Sequence, residues 1–100
     1  MVQPINPDKL AMLTEVRRLF PGNDGPAQRL RVREVLERGY SLSTFEASRY
    51  LDVYWCPARV MELRKAGLNI VTHWTVVETE AGEKHRVGNY LLVREVRNAA

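Results

Sequence analysis

Residues 41–67 constrain the fold of this chain more than any other stretch, because they carry the start and stop signals of two short helices. Ser43 lies three residues before Glu46, which is the spacing of a capping box. In that motif the serine side chain accepts a hydrogen bond from the glutamate amide, and the glutamate side chain accepts one from the serine amide. A first helix is therefore predicted over about residues 44–51.

The second helix of this stretch begins near Cys56, after a turn at residues 52–53. Pro57 suits the first turn of a helix, where a proline costs no hydrogen bond. Gly67 favours the left-handed conformation that ends many helices. A capped short helix, a tight turn and a longer helix ended by glycine outline a helix-turn-helix, with a recognition helix at residues 56–66.

The recognition helix separates into two faces when its residues are spaced at 100°. One face is apolar and is predicted to be buried: Val53, Cys56, Val60 and Leu63. The opposite face, flanked by Arg59 and Arg64, is predicted to be exposed: Tyr54, Trp55, Ala58, Met61, Glu62 and Lys65. Aromatic side chains between basic flanks are unusual on a solvated helix. They indicate either contact with DNA or packing beneath a neighbouring segment or a second subunit.

Composition limits the classes of protein that the chain represents. One hundred residues, 45% of them apolar, are enough for one domain with its own core. Cys56 is the only cysteine, which excludes an internal disulfide, and no apolar run resembles a signal peptide or a membrane span. A cytoplasmic location is therefore expected. Fifteen basic and twelve acidic residues give a net charge of +3, a mild bias towards polyanions.

An additional helix precedes the helix-turn-helix. Asn6 and Pro7 predict its start, and its apolar stripe comprises Met12, Leu13, Val16, Leu19 and Phe20. The stripe either packs on the body of the domain, which is the simpler interpretation, or is exchanged with a second subunit. Turn-rich residues 21–25 mark the one predicted boundary. Residues 1–25 then form a helix and connector, residues 26–93 the main domain, and residues 94–100 a tail.

A further helix is predicted from Pro26 to about Arg38, where Gly39 ends it. Leu30 points almost opposite to the main apolar side, so it is predicted to meet the N-terminal helix. That main side comprises Val32, Val35 and Leu36. The charged residues are predicted to form a solvated face with ion pairs: Arg29, Arg31, Arg33, Glu34, Glu37 and Arg38.

The period of the sequence changes after Gly67. Residues 70–77 are rich in branched and aromatic side chains, as strands are, and residues 86–93 make a return strand beyond a turn near Gly82. Three helices followed by a hairpin form a winged helix. The predicted fold class is therefore α+β, a winged helix-turn-helix with an extra N-terminal helix. The wing comprises residues 78–87, including Lys84, His85 and Arg86.

Roughly residues 32–92 resemble a known family. The residues that carry the resemblance are Val53-Tyr54, Ala58-Arg59-Val60, Glu62-Leu63-Arg64-Lys65-Ala66-Gly67, Ile70 and Tyr90. They are similar to the pattern VYR, AARI, ELRKAG, I, RY of a family of small helix-turn-helix domain proteins common in bacteriophage and prophage genomes. The resemblance implies a winged-helix fold and DNA binding, with Arg59 as a contact. The chain departs from the pattern at Trp55, where arginine is common, and at Cys56-Pro57, where Leu-Ala is common.

Catalysis and metal binding are not expected. His73 is predicted to pair near Tyr90 rather than with His85, so the two histidines do not share a metal with the distant Cys56. No glycine-rich phosphate loop is present, and the serines of the helix-turn-helix have no base placed to activate them. The sequence therefore predicts no metal, no cofactor and no enzymatic activity.

The first of two functional hypotheses is a double-stranded DNA-binding regulator of phage or mobile-element origin. The recognition helix enters the major groove and the wing lies on the backbone. Because a domain of this size contacts few base pairs, useful specificity favours a homodimer or repeated sites. The predicted DNA-binding residues are Ser43, Thr44, Tyr54, Trp55, Ala58, Arg59, Glu62, Arg64, Lys65, Lys84 and Arg86.

These residues have different predicted roles. Tyr54 and Arg59 approach the bases, and Ser43 or Thr44 offers a helix start to the DNA backbone. Contacts with phosphate are assigned to Arg64, Lys65, Lys84 and Arg86.

The second hypothesis is a protein-binding adaptor on the same fold, such as a phage-encoded inhibitor of a host protein. Its binding surface is the face of Tyr54, Trp55 and Met61. The modest net charge and the carboxylate of Glu62 on that face favour this alternative. The hairpin also carries apolar residues on both faces, which indicates that its outer face is covered.

Overall fold

The structure, a computed structural model, describes residues 5–94. These residues form four helices and three strands in the order of a winged helix, which confirms the predicted α+β class and the extra N-terminal helix. The predicted tail lies outside the described residues except for Arg94. The elements are α1 (Pro7–Leu19), α2 (Gly25–Glu37), β1 (Leu42–Ser43), α3 (Thr44–Tyr50), α4 (Cys56–Lys65), β2 (Ile70–Glu78) and β3 (Lys84–Leu92).

The start of α3 confirms the predicted capping box. The Glu46 amide donates to Ser43 Oγ at 3.0 Å, and the Ser43 amide donates to Glu46 Oε1 at 3.0 Å. Lys9 of α1 also donates to Glu46 Oε1 at 2.9 Å. Glu46 therefore caps α3 and joins α1 to it, because one carboxylate satisfies donors from both elements.

The turn between α3 and α4 is tight. Asp52 adopts a left-handed backbone conformation, with φ of 58°, which is uncommon for a residue with a side chain. The Val53 amide then donates to the Ala47 carbonyl at 2.8 Å and closes the turn. Pro57 lies in the first turn of α4, and Gly67 follows the helix with φ of 103°, as predicted. The limits of α4 therefore follow from local signals.

The sheet is antiparallel, with strand order β1-β3-β2. β1 contains two residues and pairs Leu42 with Tyr90, a contact that the sequence did not predict. β2 and β3 pair from Ile70 and Leu92 to the tip of the hairpin. His73 lies opposite Asn89, next to Tyr90, and His85 lies opposite Val77, which confirms the predicted pairing of His73 near Tyr90 rather than with His85.

One hydrophobic core joins all of these elements. Met12, Leu13 and Val16 of α1 are buried in the same cluster as the apolar side of α4 and Tyr90 of the sheet. The simpler interpretation of the N-terminal helix is confirmed, since its stripe packs on the body of the domain. Leu19 is an exception, because 44% of it is exposed at the end of α1.

The prediction that Leu30 meets the N-terminal helix is wrong. Leu30 is 49% exposed and lies beside Leu63 and Ala66 in a shallow depression between α2 and α4. Leu30 therefore lies towards α4 and remains about half exposed, while α2 contacts α1 with a different side.

Arg31 is also misplaced by the sequence prediction, which put it on a solvated face. It is 1% exposed and is the largest fully buried side chain among the described residues. Its guanidinium donates to the carbonyls of Phe20 at 2.7 Å, Gly22 at 2.6 Å and Asp52 at 3.1 Å. Burial lowers the pKa of Arg31, but arginine remains charged in proteins. Arg31 therefore links the α1–α2 connector to the turn of the helix-turn-helix.

Other arginines of α2 form the predicted ion pairs. Arg33 contacts Glu37 at 2.6 Å and Arg38 contacts Glu34 at 2.7 Å, both four residues apart. Such exposed pairs contribute only about 0.3 to 0.5 kcal/mol each.

Burial of Cys56 makes stability depend on alkaline pH. Desolvation raises the pKa of the Cys56 thiol to about 12, whereas an unfolded chain has a value near 8.5. The resulting stabilisation is complete below about pH 8.5 and is lost as pH rises towards about 12, since only the unfolded chain then ionises. We expect the free energy of unfolding to fall by up to about 1.4 kcal/mol per pH unit in this range.

Urea denaturation of the native protein and of Cys56→Ala at several alkaline pH values tests this prediction. Tyr90 also has a pKa raised by burial and, to a smaller extent, by Cys56, so the difference between the two proteins measures the thiol together with its effect on Tyr90. An equally steep decline in Cys56→Ala contradicts the assignment to Cys56.

Candidate nucleic-acid interface

The exposed side of α4 is the candidate interface. We call it the α4 face and define it as Tyr54, Trp55, Ala58, Met61, Glu62 and Lys65. Tyr54 is 77% exposed, Trp55 70% and Met61 52%. The opposite side is buried as predicted: Val53, Cys56, Val60 and Leu63. No segment within residues 5–94 covers the aromatic pair, so packing beneath a neighbouring part of the described chain is excluded.

The backbone holds the two aromatic residues in place. They lie between Val53 and Cys56, which are both buried in the core. The Trp55 carbonyl accepts hydrogen bonds from the Ala58 amide at 3.2 Å and the Arg59 amide at 3.4 Å. The Tyr54 hydroxyl and the Trp55 indole have no hydrogen-bond partner among the described residues. The pair is therefore fixed at its backbone and accessible at its side chains.

Arg59 is directed towards α2. Its Nε lies 2.8 Å from Glu62 Oε1, in an ion pair that lacks hydrogen-bond alignment. Arg29 of α2 donates to the other oxygen of Glu62 at 3.1 Å. The Arg59 side chain is only 20% exposed, and its Nη1 lies so close to Gly25 that a Cβ there would be 2.9 Å away. Contact of Arg59 with a base therefore stays a prediction and requires its side chain to leave Glu62.

The two arginines also change the interpretation of Glu62. The sequence placed its carboxylate as an isolated negative charge on the recognition helix. In the structure two guanidinium groups share the carboxylate, so its charge is compensated. Glu62 therefore no longer favours the adaptor over DNA.

Arg64 joins α4 to the sheet. Its Nε donates to the Ile70 carbonyl at 2.9 Å, and its Nη2 donates to Thr72 Oγ1 at 3.0 Å. These bonds use two of its five N–H groups, which leaves others for a ligand. Lys65 follows as an exposed residue without an ion pair among the described residues. Of the basic residues of α4, Lys65 is thus the most accessible to phosphate.

The start of α3 is less accessible than predicted. Ser43 is 8% exposed and its hydroxyl is engaged in the capping box. Thr44 is the first residue of the helix and is half-buried. The roles predicted for these two residues on the DNA backbone stay predictions.

The wing carries both signs of charge. Lys84, His85 and Arg86 are exposed, but residues 78–87 also contain three glutamates. One of these, Glu80, contacts Arg49 of α3 at 3.5 Å. The wing alone therefore has no strongly positive surface. Binding of a polyanion by its basic groups needs the basic residues of α4 as well.

Trp74 and Arg86 form an exposed pair in the hairpin that the sequence did not single out. The Arg86 guanidinium lies 4.8 Å from the centre of the Trp74 ring, and Trp74 is 59% exposed. Gly88 is the partner of Trp74 across the strands, and a Cβ there would lie 3.7 Å from that ring. Side chains two residues apart share a face of a strand, so Trp74 lies on the same face as Thr72, which Arg64 contacts. The pair therefore projects from the face of the hairpin that meets the end of α4.

No group of three His, Cys, Asp or Glu side chains lies close enough to hold a metal ion within residues 5–94. No helix in this part of the chain is long and apolar enough to cross a membrane.

The helices and the β-hairpin define a winged helix whose recognition helix is open to a ligand. Residues 27–95 match the family model described as a winged helix-turn-helix domain, and the chain belongs to this family. Membership suggests binding of double-stranded DNA. No curated protein and no solved structure matches the chain.

Proposed function

We propose that the protein is a transcriptional regulator of phage or mobile-element origin that binds double-stranded DNA with α4 in the major groove. The observation that carries this proposal is the exposed α4 face in a winged helix. The N-terminal residues of a recognition helix contact base edges in such folds, and Tyr54 and Trp55 stand at that end of α4. In this orientation the wing lies against the backbone of the same duplex.

Positive charge near the α4 face supports the proposal. Arg29 and Arg59 share the single carboxylate of Glu62, and Arg64 and Lys65 add two further positive charges at the end of α4. Lys65 and the remaining donors of Arg64 bind phosphate, and Lys84 and Arg86 extend these contacts along the wing. Arg59 contacts a base or a phosphate when its ion pair with Glu62 is replaced by a hydrogen bond to an acceptor of the DNA.

Salt dependence provides the first test. Four phosphate contacts, from Arg64, Lys65, Lys84 and Arg86, give a slope of log affinity against log salt of about −3.6. Affinity for a mixed-sequence duplex is then expected to fall by about 100-fold between about 50 and 200 mM salt. Fluorescence anisotropy of labelled duplex measures the slope, and Lys65→Gln is expected to reduce its magnitude by about 1. Equal affinity at both salt concentrations contradicts the proposal.

We propose further that the protein binds DNA as a homodimer or at repeated sites. One recognition helix of ten residues reads few base pairs, so a single copy provides limited discrimination. Light scattering of the free protein and of its complex with duplex measures the number of copies.

The second candidate function is a protein-binding adaptor that uses Tyr54, Trp55 and Met61. The large exposure of these three residues favours it, since aromatic residues and methionine are enriched in protein interfaces. Tight, salt-insensitive association with one protein and none with duplex would identify the adaptor. A phage-type inhibitor of a host protein is one example of such an adaptor.

A further inference from the structure

Three residues of the α4 face form an apolar stripe. Trp55, Ala58 and Met61 follow one another at intervals of three residues, which places them along one side of the helix. None of them has a polar side-chain contact within residues 5–94. Their polar neighbours are already engaged, since Arg59 pairs with Glu62 and Arg64 donates to Ile70 and Thr72. The middle of the α4 face, between Tyr54 at one end and Lys65 at the other, is therefore largely apolar.

The major groove offers one apolar group to such a stripe. Base edges there present hydrogen-bond donors and acceptors, apart from the C5-methyl group of thymine. An apolar stripe placed against polar edges desolvates them without replacing their hydrogen bonds, which costs free energy. The same stripe placed against thymine methyl groups removes apolar surface from water on both partners, which is favourable.

We propose that the stripe of Trp55, Ala58 and Met61 reads thymine methyl groups, so that the preferred sites are rich in A·T pairs in the major groove. The inference rests on the proposed DNA binding and names the feature of DNA that α4 recognises. DNA is the occupant because the stripe is flanked by the cations of Arg29, Arg59, Arg64 and Lys65. Ala58 lets the helix approach the bases, since its side chain is short.

Removal of the methyl groups from the DNA tests this recognition. The native protein is titrated into a duplex of alternating dA and dT, and into the same duplex with deoxyuridine in place of thymidine. Each buried methyl group contributes about a fourfold change in affinity. Loss of two contacts is therefore expected to weaken binding by about tenfold or more. A duplex of alternating dG and dC is expected to bind more tightly when its cytosines carry a C5-methyl group.

Variants assign the effect to the stripe. The double variant Trp55→Ala, Met61→Ala is expected to bind thymidine and deoxyuridine duplexes with equal affinity. Leu19→Ala serves as the matched control, because Leu19 is a similarly exposed apolar residue on α1, which packs against α2 and α3. This control is expected to keep the native preference for thymidine.

The outcomes separate this inference from the proposed function. Equal affinity of the native protein for both duplexes, with steep salt dependence retained, overturns methyl recognition and leaves DNA binding intact. A thymidine preference that persists in the double variant overturns the assignment to the stripe. Absence of binding to every duplex at low salt overturns both the inference and the proposed function.

Discussion

Replacement of Arg31 by methionine is expected to lower the free energy of unfolding by about 3 to 5 kcal/mol. The buried guanidinium donates to three carbonyls, those of Phe20, Gly22 and Asp52. Methionine fills much of the same volume but donates no hydrogen bond, so it leaves those acceptors without their partner. A buried group that loses its partner costs about 1 to 3 kcal/mol, and three are affected here.

Thermal unfolding followed by circular dichroism measures the effect. A loss of this size corresponds to a decrease in Tm of roughly 15 to 30 °C for a domain of this length. Arg33→Met is the matched control, because Arg33 lies on the same helix with half of its side chain exposed and only an ion pair to Glu37. The control is expected to change stability by less than about 0.5 kcal/mol. Similar losses in both variants would show that Arg31 has no special role.

Arg31→Lys makes the measurement informative even when Arg31→Met does not fold. Lysine keeps the charge but cannot present two terminal nitrogens in a fixed plane to separate carbonyls. It is expected to recover part of the lost stability. Because Asp52 lies in the turn before α4, loss of Arg31 is also expected to loosen the position of the recognition helix.

Local signals predicted the helix-turn-helix correctly for a physical reason. The capping box of Ser43 and Glu46, Pro57 in the first turn of α4 and the left-handed Gly67 each set the backbone of only the few residues next to them in sequence. Their effects therefore do not depend on the rest of the chain. The same is true of the hairpin, where branched residues and a turn lie next to one another in sequence.

Contacts between distant elements were the part that the sequence did not predict. β1 has only two residues, which is too short to show alternation, and its pairing with β3 depends on the tertiary fold. Arg59 was predicted to face a ligand, but it pairs with Glu62, which Arg29 of α2 also contacts, and it lies close to Gly25 of that helix. Helical spacing alone gives the direction of a side chain but not the neighbour that engages it.

The helical position of Arg31 indicated that its side chain is buried, but the assignment to a solvated face did not take this position into account. It lies four residues from both Ala27 and Val35, which are buried, so helical spacing places it on the core side of α2. An arginine on an apolar face indicates either a buried hydrogen-bond network or a misassigned helix. Leu30, its neighbour, was then assigned a partner that it lacks. In both errors the prediction relied on the type of the residue, charged for Arg31 and apolar for Leu30, rather than on its position around the helix.

Substitution of Met61 by glutamate is expected to weaken DNA binding by roughly 100-fold or more, since like charges brought together at an interface cost several kcal/mol. Met61 is 52% exposed at the middle of the α4 face, so a charged side chain there leaves the core intact. A glutamate at this position also precedes Lys65 by four residues, a favourable spacing on a helix. The expected change in the free energy of unfolding is within about 0.5 kcal/mol.

The sign of the charge decides between the two candidate functions. Met61→Lys loses the apolar contact of Met61 but adds a cation towards phosphate, so it is expected to keep most of the native affinity for a mixed-sequence duplex. An apolar protein interface responds differently, because a buried charge of either sign is unfavourable there. Leu19→Glu, on α1, controls for the general effect of an added carboxylate and is expected to bind as the native protein does.

Anisotropy titrations of these variants with labelled duplex therefore give a pattern rather than a single value. Loss with glutamate and retention with lysine at Met61, together with native binding by Leu19→Glu, identify a polyanion at the α4 face. Equal losses with glutamate and lysine show that the duplex does not sense the charge at Met61, and they contradict a phosphate-facing position for this residue. Equal binding by all of the proteins places the DNA elsewhere, because a second carboxylate on α4, without the arginine partners that Glu62 has, weakens binding of a duplex held against this helix.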